Sequence, residues 1–206
     1  MPLKTLFEQI ISQPQLHAKL LNTLSLMENT GARKISASEH STQVTLIILK
    51  HAAEEHRHAY YLKKQIGKIN ETYCPTYDYG FLLAPASSRL YLNKLDTEIS
   101  RYLKNSLNLS GAELRFAAYL LVTYAIEVRA DELYPVYQEA LDSAGSKVNV
   151  KSIILEEEGH LEEMLKQLKD FSPEWEVHAE KALEIETRLF NDWIVALEKE
   201  IYVQEA

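Results

Sequence analysis

The sequence predicts an all-α fold: a four-helix bundle whose two halves are joined by a long crossover containing an extra helix, with a further helix at the C-terminus. Three observations predict it. Only six glycines and six prolines interrupt 206 residues. Apolar residues recur every three or four positions over long segments, and the breaks between those segments carry helix stop and start residues. The length suits one domain over residues 1–206, with the bundle core at about 14–170 and the last helix at about 173–202.

Residues 3–11 suit a short amphipathic helix, and Pro14 stands where a proline opens the next one. Leu16, Leu20, Leu21, Leu24, Met27, Glu28 and Ile35 then keep helical spacing until the polar stretch Ser36 to His40. Ser41 is the expected cap of the second bundle helix, on which Val44, Ile47, Ile48, His51, Glu55, His58 and Leu62 share a face as far as about Ile69. The segment from Asn70 to Pro85, with Tyr73, Tyr77 and Tyr79, reads as an ordered loop. A crossover helix is expected from about Ser87 to Asn105, burying Leu90, Leu95, Ile99 and Leu103.

Ser110-Gly-Ala-Glu113 has the pattern of a capping box and opens the third bundle helix. Phe116, Leu120, Thr123, Tyr124, Glu127, Asp131 and Tyr134 recur on one side of it, and Pro135 is expected to kink it. Asp142 to Gly145 stops it. The fourth bundle helix is expected from near Asn149, with Ile153, Ile154, Glu157, His160, Leu161, Met164 and Leu168 inward. Ser172-Pro173 restarts the chain, and Trp175, Leu183, Phe190, Trp193 and Leu197 give the last helix a stripe expected to dock on the bundle or on a second subunit, so that a homodimer is compatible with the pattern.

Composition limits the function classes. The formal charge of −8 disfavours a broad nucleic-acid surface. No apolar run reaches the roughly 20 residues of a membrane span, and Glu8 breaks the apolar start that a signal peptide would need, so the expected location is cytoplasmic. Cys74 is the only cysteine, which excludes an intrachain disulfide; it reads as a spare core or loop thiol.

Chemistry concentrates in two stretches, Glu54-Glu55-His56-Arg57-His58 and Glu156-Glu157-Glu158-Gly159-His160. Each holds a Glu-x-x-His unit, Glu55 with His58 and Glu157 with His160, and on a helix the i and i+3 side chains share a face. One such pair alone is usually a surface pair. Two pairs, with the lone glutamates Glu28 and Glu127 on two further helices, make the donor set of a di-metal carboxylate bundle.

Spacing tests the assignment. Glu28 and Glu55 lie 27 positions apart about a midpoint at 41 to 42, beside the first expected turn; Glu127 and Glu157 lie 30 apart about position 142, at the edge of the second. Each hairpin therefore brings its acids level, and the 72 residues from Glu55 to Glu127 leave room for the crossover. Four inward carboxylates need a cation, because burying one unpaired charge costs several kcal/mol. Two divalent ions supply the balance. Carboxylates with imidazoles suit iron or manganese better than copper or structural zinc.

The neighbouring acids Glu54 and Glu156 read as solvated or as partners behind the ligands, and Glu158 is expected to point away from the face of His160. Asp131 could accept a hydrogen bond from His58 or His160, or form a surface salt bridge. His51 reads as a buried histidine satisfied by a neighbour, with a seventh ligand as the alternative. Thr123 and Tyr124 are expected beside the metals, Tyr124 as packing, hydrogen-bond donor or electron donor. Arg57 and Arg129 are expected to point elsewhere and pair with surplus acids.

The pattern Glu28, Glu55-x-x-His58, Glu127, Glu157-x-x-His160 resembles that of the ferritin-like di-iron carboxylate superfamily, over roughly residues 14–170. The resemblance implies two iron ions, with manganese or a mixed pair as variants, bridged by Glu55 and Glu157 and completed by Glu28 with His58 and Glu127 with His160. It also implies an oxidoreductase in which these six residues are catalytic, activating dioxygen to oxidise or hydroxylate a small organic substrate. Electrons would come from an external donor, since no flavin or nicotinamide fingerprint is present. Ferroxidase or iron-handling activity and tRNA hydroxylation are the alternatives. The absence of Cys-x-x-Cys pairs, the short first Glu-to-Glu interval and the extra helices look more like a stand-alone oxidase or oxygenase than a rubrerythrin or a cage-forming ferritin.

Overall fold

The computed structural model describes residues 1–42 and 44–204, with the side chains of Glu158, Val203 and Gln204 outside that description, so the expected direction of Glu158 also lies outside it. Among the described residues there are seven α-helices and no strand: α1 Leu3–Ser12, α2 Pro14–Ser38, α3 Leu46–Gln65, α4 Pro85–Leu107, α5 Gly111–Ser143, α6 Lys151–Phe171 and α7 Trp175–Gln204. No helix is long and apolar enough to cross a membrane.

Two hairpins make the centre. α2 packs along α3 and α5 along α6, while α2 also meets α5. The crossover helix α4 lies on α2 and α5, α1 rests on α5 and α2, and α7 closes over α4 and α5. The apolar stripe of α7 therefore docks on its own chain: Leu189, Trp193, Leu197 and Ile201 are buried. Its one fully buried acid, Glu186, accepts hydrogen bonds from Arg129 Nε at 2.8 Å and Nη2 at 2.7 Å and from the Tyr91 hydroxyl. Arg129 thus pairs with a surplus acid, as its position predicts.

Several local expectations are corrected. α3 starts at Leu46, not after Ser41, because the Thr45 hydroxyl caps it by accepting from the Ile48 amide; Val44 consequently lies outside the helix and is exposed. Ser110 holds the N-cap position of α5 without a side-chain capping bond. Leu90 is exposed and Tyr91 and Leu92 are buried in its place, since five positions before Leu95 is about 140° from it around a helix whereas three or four are not. Phe116 is also exposed. Separately, α5 runs through Pro135 as one helix, so the proline does not end it.

The segment between α3 and α4 is ordered as its tyrosines suggest. Asn22 Nδ2 donates to the Thr76 and Phe81 carbonyls, both at 2.9 Å, Ser25 and Tyr77 share a hydroxyl contact at 2.8 Å, and the Leu83 amide donates to Thr23 Oγ1 at 2.9 Å. Polar residues of α2 thus satisfy the loop's backbone. Cys74 is buried in it, and burial pushes its thiol pKa up, which fits a packing role.

Leu197 is fully buried where α7 meets the rest of the chain. Leu197→Ala is expected to lower unfolding stability by about 2–5 kcal/mol, measured by urea denaturation.

Candidate metal centre

The six predicted ligands come together between the two hairpins. Glu28 comes from α2, Glu55 and His58 from α3, Glu127 from α5, and Glu157 and His160 from α6. Glu55, His58, Glu127, Glu157 and His160 are all buried, and Glu28 is half-buried. Donor atoms of Glu55, Glu127, Glu157 and His160 lie within 4.8 Å of one another, as do those of Glu28, Glu55 and His58. Glu55 belongs to both groups. Glu157 reaches both imidazoles, with Oε1 3.1 Å from His58 Nδ1 and Oε2 3.3 Å from His160 Nδ1.

Both histidines turn Nδ1 inward and Nε2 outward, and the outward partners cross between the hairpins. His58 of α3 donates from Nε2 to Glu156 Oε2 of α6 at 2.7 Å, and His160 of α6 donates from Nε2 to Glu54 Oε2 of α3 at 2.7 Å. Arg57 in turn binds Glu156. A proton held on Nε2 leaves the Nδ1 lone pair free to face a cation, which is the role of a carboxylate behind a metal-binding histidine. Two inward atoms remain without a hydrogen-bond partner, His58 Nδ1 and Glu127 Oε2. Buried polar atoms are rarely left so, and both belong to the donor groups. Among the described residues no lysine or arginine forms an ion pair with the four central glutamates.

Electrostatics point the same way. Burial raises the Glu55 and Glu127 carboxyl pKa values well above the usual range, and their acidic neighbours raise them further, Glu28 and Glu157 for Glu55, Glu157 and Glu28 for Glu127. Burial also opposes ionisation of Glu157, but its close contacts with His58, His160 and Glu127 outweigh it and hold that pKa down. For His58 and His160, desolvation disfavours the cation, and the surrounding carboxylates overcome it, so both pKa values rise. Without a cation this core therefore retains protons. These residues fit divalent metal, because an ion would replace those protons and satisfy both orphaned atoms.

Not every neighbour was placed correctly by spacing. Asp131 is exposed and contacts neither histidine. It stands about 40° round α5 from Glu127, on the side away from the cavity, and Tyr124 stands about 60° off on that same side. Tyr134, seven residues on and only about 20° away, is the tyrosine at the site: its buried hydroxyl donates to Glu28 Oε1. The same 3.6-residue arithmetic singles out Tyr134 from the sequence. His51 is buried and satisfied, its Nδ1 3.1 Å from the Tyr119 hydroxyl and its Nε2 3.0 Å from Glu163 Oε2. It is not among the grouped donors.

Glu127 and Glu157 are level for a reason the midpoint does not contain. The turn is not centred on 142: residues 144–150 fold back along the end of α5, where the Val150 amide donates to Gln138 Oε1 at 2.7 Å. That return restores the register.

A largely apolar cavity of about 390 Å³ reaches the centre from between α2, α4 and α5, with α7 at one end. Its walls include Glu28, Glu55, Glu127, Thr123 and Tyr134. Comparison of the chain with family models, curated proteins and solved structures returns no match.

Glu54→Gln and Glu156→Gln are each expected to weaken metal binding about 10–100-fold with little change in folding, read by metal titration. The pKa shifts also fix a sign. Glu55 and Glu127 are raised from 4.5 and His58 and His160 from 6.5, so as pH rises through 6.5, and until the raised groups have titrated, these groups bind more protons in the folded metal-free chain than in the unfolded one. Its melting temperature should fall as pH rises across that window, and divalent metal should stabilise it increasingly.

Proposed function

We propose that the chain is a ferritin-like di-iron oxidoreductase that activates dioxygen and oxidises a small organic substrate. The arrangement of α2/α3 and α5/α6 around the donor cluster, with α4 as crossover, is compatible with that bundle. The observation that carries the catalytic reading is the cavity: three of the four central carboxylates line it, and the rest of its wall is mainly hydrocarbon. A protein whose only substrate was the metal would have no use for such a chamber, whereas an organic substrate needs one beside the reacting centre.

When bound, two ferrous ions would supply the electrons that dioxygen requires. Glu28, Glu55, His58, Glu127, Glu157 and His160 would hold them, and manganese fits the same donors. Glu54 and Glu156 fix the histidine tautomers and ring directions. Tyr134 donates to Glu28, and so restrains the carboxylate at the cavity wall. Leu133, Ile126 and Val122 keep bulk water from the substrate side. An external donor would renew the electrons.

The test is anaerobic reconstitution with ferrous iron, metal counting, and oxygen uptake on exposure to air. About two irons per chain in a monomer or dimer, with oxygen uptake accelerated by an organic substrate, is the expected result. Accumulation of many irons per chain inside a hollow assembly would move the function to iron storage, and selective binding and hydroxylation of tRNA would move it to RNA modification. His160→Ala should lower both iron content and oxygen uptake; unchanged metal content in that variant would remove His160 as a ligand.

A further inference from the structure

The cavity has two chemically different ends. Along α5 its walls run from Leu114 and Arg115, near the helix start, to Glu127 and beyond. The 12 residues from Arg115 to Glu127 correspond to about 18 Å of helix, and the stretch between is lined by Ala118, Tyr119, Val122 and Ile126. Three cations line the cavity, Lys34, Arg115 and Arg129. Lys34 is tied to Asp96 at 2.7 Å and Arg129 to Glu186 at 2.7 Å. Arg115 is exposed and has no carboxylate partner among the described residues.

We propose that the cavity selects a linear, medium-chain organic carboxylate, with its head on the Arg115 guanidinium and its alkyl chain laid along α5 toward Glu28, Glu55 and Glu127. This rests on the reading of the site as that of an oxidoreductase with an organic substrate. Size supports it: at about 30 Å³ per small group, 390 Å³ holds about a dozen non-hydrogen atoms. Direction follows from charge. Of the three cations on the wall only Arg115, at the outer end, has no carboxylate partner among the described residues, and its planar donor fork matches one, whereas the glutamates of the inner wall already serve to balance the cations they would hold. The walls between contribute apolar area along the whole chain. The substrate therefore presents a hydrocarbon carbon, not its carboxylate, to the metal donors.

The experiment is calorimetric titration of the full chain, with its metal content counted, using decanoate, decan-1-ol and butanoate as probes. Decanoate should bind tightest. Arg115→Gln should weaken decanoate roughly fivefold, the scale of a solvent-accessible ion pair, leave decan-1-ol unchanged and leave metal content unchanged; Arg115→Lys should restore part of the loss. Equal binding of decanoate and decan-1-ol, or an Arg115→Gln variant that binds decanoate as the parent does, would overturn the proposal. Two irons and oxygen uptake without decanoate binding would remove this substrate class and leave the oxidoreductase reading standing. Decanoate binding by a chain that takes up no metal would remove that reading instead.

Discussion

Four glutamates facing one another in a buried core set the terms for the rest of the molecule. In a medium of low dielectric, like charges this close cannot all persist, and among the described residues no lysine or arginine pairs with them. Protons can relieve them in part, which is what the raised Glu55 and Glu127 pKa values express. Two divalent cations relieve them fully. The folding problem and the metal-binding capacity thus have one origin, and helix lengths, hairpin registers and the return of residues 144–150 all serve to bring these side chains level.

The histidines show how the two hairpins are held to a common geometry. Glu54 and Glu156 each reach across to the histidine of the opposite hairpin. α3 and α6 are therefore joined by a reciprocal pair of charge-assisted bonds behind the donors, and Arg57 on Glu156 and Lys50 on Glu163 extend the seam toward solvent. The other side of the centre is left open. There α2, α4 and α5 stand apart enough to leave an apolar chamber, and α7 covers its end with Phe190 and Trp193. One wall is closed by polar contacts and the other is left open as an apolar cavity.

Much of this was legible in the sequence, because helical period is a strong signal where residues must be buried. The seven helical segments and the convergence of Glu28, Glu55, His58, Glu127, Glu157 and His160 followed from spacing, whereas both turns lie later in the chain than spacing places them. What spacing could not supply was contact between elements. Glu54 and Glu156 read from the sequence as solvated acids or as partners behind the ligands, and only the opposite hairpin decides for the second and shows which histidine each one meets. Asp131 and Tyr124 were attracted to the site by approximate periodicity, and the residual 40–60° of rotation carries them off it. The cavity is likewise a property of how α4 and α7 lie on the bundle, which no single helix encodes.

We propose that the glutamate core holds two cations, with the Nδ1 atoms as imidazole donors. Anomalous diffraction from crystals of the chain grown with manganese tests it most directly. The account predicts two manganese peaks between the hairpins, one beside Nδ1 of His58 and one beside Nδ1 of His160. A single peak, coordination through Nε2, or manganese found only at the surface would contradict it.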